Sequence, residues 1–354
     1  MSRLRRLSAL QIGVSWTRRL RRVLQGRPNT PRVGTCQWPE PLASANPCRH
    51  PGESHPGLRC FLSSDEGPTA VTGTSPVARQ RELGTLLRAL RNDKGMTVEE
   101  VAAHLLCSTT KISRLETAAR RPSLRDVRDL CSLYGVDEST SRDLMNLARE
   151  AREPGWWTQY DDLALDQLIG LEQEAIAITC YSINYIPGLL QTQDYAKGII
   201  ETVAPKMDSE TVRQRTEARM RRQQLLDADT RPHYHVILDE AVMRRGVGDP
   251  ALMAAQLEKI IDIVSSDKAL VQIIPFAAGA YAAADGYFVL LEFEEDSNLW
   301  PMVFIEGLAG NQYLQHRADI SRYRETIEYL RDRALDPSDS VALMIEMRKN
   351  YASM

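Results

Sequence analysis

Between Met96 and Glu116 the chain reads MTVEEVAAHLLCSTTKISRLE, and this stretch restricts the fold more than any other. Thr97 stands three residues before Glu100, the spacing of a capping box, so a helix is expected to begin at Val98. Val98, Val101, Ala102 and Leu105 recur at helical spacing and give that helix one apolar face. Ser108 is the next cap, and Ile112 and Leu115 form the stripe of a second short helix. Helices this short are not stable alone, so they must be held by packing. Ala102 is small where the two would cross closely. Locking that crossing with Val101, Leu105, Ile112 and Leu115 leaves Thr109, Thr110, Lys111, Ser113 and Arg114 pointing outward. Such a helix fits a DNA major groove, about 12 Å wide, and its positive N-terminal end suits a phosphate.

The flanks extend the pattern. Leu83, Leu86, Leu87 and Leu90 predict a preceding helix that stops before Gly95. Val127, Leu130 and Leu133 predict a fourth helix ending at Gly135, and Leu144 and Leu147 a fifth running towards Ala151. Residues 77–152 therefore read as an all-α, five-helix helix-turn-helix domain. Charge is distributed accordingly: residues 77–150 carry thirteen basic and eleven acidic side chains, whereas the chain beyond carries twenty basic against thirty-two acidic. A mildly basic module beside an acidic one fits a nucleic-acid reader joined to a domain that does not bind nucleic acid.

Residues 1–75 hold eleven Arg and no Lys, are rich in Pro, Ser and Gly, and lack sustained periodicity. Two readings stand: a disordered tail, or upstream sequence ahead of a true start near Val71. No apolar run reaches the roughly 18 residues of a membrane span, and no secretory signal follows the Arg-rich start. The six Cys form no C-x-x-C pair. Cys36, Cys48 and Cys60 are spaced by twelve with His50 and His55 nearby, a pattern that chance explains better than a metal site, and Cys107, Cys131 and Cys180 sit in apolar patterns, so a reduced, cytoplasmic protein without metal or cofactor is expected.

Residues 155–352 mix helices and strands. Strands are expected at Ala175–Ile186, Tyr234–Leu238, Leu270–Ile274, Tyr287–Phe293 and Met302–Ile305, and helices at Thr192–Val203, Asp208–Leu226, Pro250–Ser265 and twice within 317–351. Strands clustered late in the chain suggest an α+β domain with an antiparallel sheet. Asp239 and Glu240 follow a strand with no nucleophile, metal cluster or phosphate loop beside them, so capping or an ion pair is favoured over catalysis and no enzyme is expected. Trp156 and Trp157, with Asp239 and Glu240, are candidates for a ligand or partner site, packing being the competing role for the rings. Arg215, Arg219 and Arg222 share a helix face, with Glu217–Arg221 as an i,i+4 pair; a solvated face is favoured, an acidic partner or buried pairing to Asp239 and Glu240 being the alternatives. His233 and His235 share a strand face, but no third ligand accompanies them.

Residues 79–136, and S-T-T-K-I-S-R-L-E above all, resemble the phage-repressor and Cro family of Xre-type helix-turn-helix proteins. The resemblance implies double-stranded DNA as partner, with Thr109, Thr110, Lys111, Ser113 and Arg114 at base edges. It implies Arg91, the Val98 N–H, Ser108, Arg120, Arg121 and Arg125 at the DNA backbone, and an Arg91–Glu116 pair. It departs at two turns, where Leu106 and Ala118 stand in place of the family's usual Gly. A non-glycine residue at positive φ costs roughly 1 kcal/mol or more, so either these turns differ or stability is lost.

The motifs I-P-G-L-L-Q-T-x-x-Y-A (from Ile186), R-x-x-R-Q (from Arg219), L-D-E (from Leu238), Q-I-I-P-F-A-A-G (from Gln272) and F-x-x-L-E-F (from Phe288) resemble a domain of actinobacterial Xre-type regulators. That likeness implies a transcription factor, often antitoxin-like and encoded beside a small partner protein. The expectation is a homodimeric, sequence-specific DNA-binding regulator whose second domain dimerises and senses a protein or small molecule. The alternative is a partner-binding module with DNA binding as secondary autoregulation.

Overall fold

The structure is a computed structural model, and it describes residues 75–160, 166–283, 286–295, 297–307 and 310–354. The expected tail, the start near Val71 and Cys36, Cys48 and Cys60 lie outside the described residues.

The first part of the described chain is five helices: α1 (Pro76–Asp93), α2 (Val98–His104), α3 (Thr109–Glu116), α4 (Leu124–Tyr134) and α5 (Glu138–Glu150). Their ends follow from local chemistry. Thr97 and Glu100 complete the capping box at α2, and the Ser108 hydroxyl accepts from the Lys111 N–H at α3. Ser123 and Asp126 form a second capping box at α4. Gly135 closes α4 in the left-handed conformation, φ 62°, which only glycine adopts at little cost. Leu83, Leu87, Val101, Ala102, Ile112, Leu115, Val127, Leu130, Tyr134 and Leu144 share one core.

Both departures from glycine keep the tight turn. Leu106 has φ 49° and Ala118 φ 56°, so these positions carry backbone strain. Gly84 explains how α1 and α3 approach: a Cβ there would lie 2.8 Å from the Glu116 carbonyl oxygen and 2.9 Å from that of Leu115.

The second part is built on a six-stranded sheet of order β3-β2-β1-β4-β5-β6. Its strands are β1 (Ala177–Ser182), β2 (His233–Asp239), β3 (Leu270–Ile274), β4 (Phe288–Glu292), β5 (Met302–Ile305) and β6 (Gln312–Leu314). The antiparallel sheet expected from the sequence is found for β1-β4-β5-β6, but β1 pairs with β2, and β2 with β3, in parallel. The connections decide this. Short loops join β4, β5 and β6, whereas helices α7 (Gln193–Val203) and α8 (Ser209–Arg222) intervene between β1 and β2, and α9 (Glu240–Arg244) and α10 (Pro250–Ser265) between β2 and β3. A crossover carrying a helix returns the chain in the same direction. Helix α6 (Asp166–Glu172) leads into β1, and α11 (Arg317–Arg333) and α12 (Pro337–Ala352) end the chain.

Strand alternation divides the sheet's side chains. Ile178, Cys180, Val236, Leu238, Val271, Ile273, Leu291 and Phe304 join the core containing Tyr195, Leu257 and Met344. Tyr181, Ile237, Phe288, Leu290 and Val303 face the other way, with Ile320, Ile327 and Leu330 of α11. The outer edge of β3 is covered: the Ser340 hydroxyl accepts from the Ile273 N–H at 3.0 Å, and the Leu335 N–H donates to the Ile273 carbonyl at 2.8 Å.

The two parts touch along α1. The Ser75 N–H donates to Glu174 at 2.6 Å, and a Cβ on Gly170 would fall 2.6 Å from the Ser75 hydroxyl.

Leu106 yields a test. Its side chain is 94% exposed, so Leu106→Gly relieves strain of about 1–2 kcal/mol without loss of packing. Added glycine entropy in the unfolded chain returns about 0.4–1 kcal/mol. A net gain of about 0.5–1 kcal/mol is expected by thermal denaturation, and a lower melting temperature would contradict the strain assignment.

Candidate nucleic-acid interface

Helix α3 is short, and its orientation is imposed from both sides. Ile112 and Leu115 are buried in the core, and Ser108 caps the N-terminus. The C-terminus is tied to α1. Arg91 Nε donates to Glu116 Oε1 at 2.6 Å and Nη2 to Oε2 at 2.9 Å, a bidentate pair, while Nη1 donates to the Met96 carbonyl at 2.8 Å. The pair is almost wholly buried. The hydrogen bond to Glu116 holds Arg91 above its ordinary pKa range, against the opposing effect of burial.

Thr109, Thr110, Ser113 and Arg114 lie exposed on the opposite side of α3, as does Ser108 at its start. Among the described residues, nothing in the second part of the chain buries them. Val98 is half-buried at the start of α2, and Arg120, Arg121 and Arg125 are exposed beyond α3. Arg125 also meets Asp129 one turn along α4, at 3.5 Å. Arg91 is different: its donors are largely spent inside the domain, leaving one hydrogen on each terminal nitrogen for a phosphate.

Lys111 requires a correction. It does not point outward with its neighbours but reaches back to α4, where its Nζ donates to Asp126 Oδ1 at 2.5 Å. Burial alone would raise the Asp126 carboxyl, yet Lys111 and Ser123 together hold it below its ordinary range. The physical reason is register: Lys111 precedes the buried Ile112 and flanks the α3–α4 seam, where the α4 capping carboxylate offers a closer partner than solvent. Ser123-x-x-Asp126 was the available signal, since it has capping-box spacing. Gly84, in the middle of a helical leucine pattern, is the sequence mark of the close α1–α3 approach.

The remaining candidates turn inward. Asp239 caps α9, accepting from the Ala241 N–H at 2.8 Å and from the Tyr281 hydroxyl. Glu240 is buried, paired with Arg244 at 2.5 Å and accepting the Phe276 N–H at 2.7 Å. Both carboxylates are thus fully engaged in structure. Trp157 is buried, and Trp156 packs edge-on against it at 5.8 Å with the Arg221 guanidinium 4.7 Å from its ring centre.

The arginine face of α8 is not solvated as the sequence suggested. Arg222 makes a bidentate pair with Glu172, 2.6 Å at both contacts, inside the domain. Burial and the adjacent Arg222 cation push Arg219 down to about 10. On the solvent side Arg213 pairs with both Glu210 and Glu217, while the Arg221 guanidinium lies over the Trp156 ring. Arg219 Nη1 donates to Gln191 Oε1 at 2.9 Å, and the Gln191 carbonyl accepts from Gln223 at 2.8 Å and Lys259 at 2.7 Å. His235 meets Gln272 at 3.0 Å, and burial, then Arg331, lower its pKa to about 4.

Two family models match the chain. One, described as a helix-turn-helix domain, matches residues 82–144; the other, described as a domain of unknown function (DUF5753), matches residues 165–346. No curated protein and no solved structure matches it. Among the described residues no helix is long and apolar enough to cross a membrane.

The buried pair generates a prediction. Removing one partner of such a pair costs about 3–5 kcal/mol, because the other charge is stranded. Glu116→Ala should lower stability by about that amount in urea denaturation. A change below about 1 kcal/mol, the usual worth of a surface pair, would show that the clamp is unimportant.

Proposed function

The chain belongs to the family of the domain of unknown function DUF5753, with a helix-turn-helix domain ahead of it, and from this premise we propose that it is a sequence-specific, Xre-type transcriptional regulator acting in the cytoplasm. The observation that carries the reading is the two-sidedness of α3. Its inner side is fixed by Ile112, Leu115 and the Arg91–Glu116 clamp, while Thr109, Thr110, Ser113 and Arg114 stand free on the outer side.

In this reading α3 lies in the major groove. Arg114 is the residue suited to bidentate contact with guanine O6 and N7. Thr109, Thr110 and Ser113 hydrogen-bond neighbouring base edges. Ser108, the Val98 N–H, Arg120, Arg121 and Arg125 contact phosphates and fix the docking register. Lys111 is left out of the base-reading set, since Asp126 neutralises it. In this reading Asp239 and Glu240 serve as helix cap and ion pair.

Arg114→Ala should relax base preference at one position and cost about 1–3 kcal/mol, whereas Arg120→Ala should weaken binding to all sequences and flatten its salt dependence. Binding assays on a promoter library at several salt concentrations read both. Equal, sequence-independent losses would overturn the assignment, and failure of the wild type to bind any fragment, its own promoter included, would overturn the reading itself.

One such domain reads a half-site, so the working form on DNA is a two-fold dimer, with half-sites one helical turn, about 34–36 Å, apart or a multiple of it. Light scattering of the protein, free and on its operator, should report two copies; one copy in both states would exclude this arrangement.

A further inference from the structure

Arg81 is buried, 9% exposed, yet no carboxylate meets it among the described residues. Its Nη2 donates to Gln167 Oε1 at 3.1 Å, and its guanidinium carbon lies 5.1 Å from the Tyr313 ring centre. Both partners are neutral. Elsewhere the same chain buries a guanidinium against a bidentate carboxylate, Arg91 with Glu116 and Arg222 with Glu172. An uncompensated buried cation costs several kcal/mol, and burial accordingly holds the Arg81 pKa below its usual value.

Arg81 also borders a cleft of about 240 Å³ between α1 and the residues Gly155, Trp157, Thr158 and Gln167. Arg121 supplies a second cation there, Gln80, Gln167 and Thr158 supply neutral hydrogen-bonding groups, and Trp157, itself nearly wholly buried, borders it with apolar surface. Among the described residues that line it, none is acidic. The volume lies just below the about 300–1,000 Å³ of drug-sized sites. We propose that this cleft binds a small organic anion: a carboxylate or phosphate at Arg81 and Arg121, on a compact apolar body lying against Trp157.

The site's position gives it a consequence for DNA, which rests on the reading of the previous subsection. Ala118, at the strained turn ending α3, borders the cleft, and Gln80 Nε2 donates to its carbonyl at 2.7 Å. Arg121 is one of the residues assigned to the DNA backbone. An anion that engages Arg121 withdraws it from phosphate, so anion and DNA oppose one another, and by thermodynamic linkage they do so reciprocally.

The test uses the full chain, without DNA first. Benzoate and phenyl phosphate serve as probes, with benzamide as the neutral control of the same shape. A saturable rise in melting temperature is expected with at least one anion and not with benzamide. Arg81→Gln should abolish the rise while leaving the melting temperature of the unliganded protein equal or higher, because it removes an uncompensated charge; Arg121→Ala should weaken binding about tenfold. The proposal is overturned if neither anion shifts the wild type at up to about 10 mM, well above the roughly 1 mM dissociation constant of a weak site. It is also overturned if benzamide acts equally, or if the Arg81→Gln protein melts lower and still responds to the anions. This arm contains no DNA, so its failure leaves the DNA reading intact. In a second arm, saturating anion should weaken promoter binding at least fivefold at constant ionic strength, and unchanged affinity would overturn the linkage.

Discussion

The attachment of α3 to α1 is the constraint on which the reading surface depends. Eight residues of helix have too little internal cooperativity to hold a direction. Here direction is supplied by contact: Gly84 lets the carbonyls of Leu115 and Glu116 press against α1, and Arg91 grips the Glu116 carboxylate with two parallel hydrogen bonds. The two requirements are coupled. Any side chain at 84 would push the end of α3 away and break the geometry in which Arg91 can reach both oxygens. The strained turns at Leu106 and Ala118, either side of α3, are tolerated because this packing over-determines them.

A similar economy of contacts organises the second domain. Between Ile186 and Thr192 the backbone forms only a single 3-10 turn, Gly188–Leu190, so several carbonyls there take side-chain partners. Gln191 returns a hydrogen bond to the Ile186 carbonyl, Gln256 takes the Leu190 carbonyl, and Gln223 and Lys259 converge on that of Gln191. The R-x-x-R-Q run on α8 thereby meets the P-G-L-L-Q-T segment. The L-D-E run meets Q-I-I-P-F-A-A-G in the same way, through the Phe276 N–H on Glu240. Motifs far apart in sequence are the two halves of buried polar joints. Such joints tolerate little change, because a half-satisfied network is costlier than an apolar core.

These joints also separate residues that hold the fold from residues available to something else. Asp239, Glu240, Arg222 and Gln191 all have complementary partners within the domain. Arg81 meets only the neutral Gln167 and Tyr313 among the described residues, although it lies where α1, the end of α3 and the second domain come together. A charge left uncompensated in an otherwise well-satisfied structure is a cost to stability, and a ligand that supplies the counter-charge accounts for it.

The sequence by itself determined the local events. Caps at Thr97 and Ser108, the stop at Gly135, and the apolar stripes that bury Ile112 and Leu115 follow from spacing and residue type, because helix signals are carried within a turn or two of chain. The outward side of α3 was legible for the same reason. Tertiary structure decided what depends on neighbours distant in sequence: that Lys111 turns to Asp126, that Arg222 of α8 enters the core against Glu172, and that β1, β2 and β3 run parallel. An exposed position on a helical wheel says nothing about which charge stands across the seam, and a strand's direction is set by the path that returns to it. Those choices are made by electrostatics and packing between segments, and no window along the chain contains both partners.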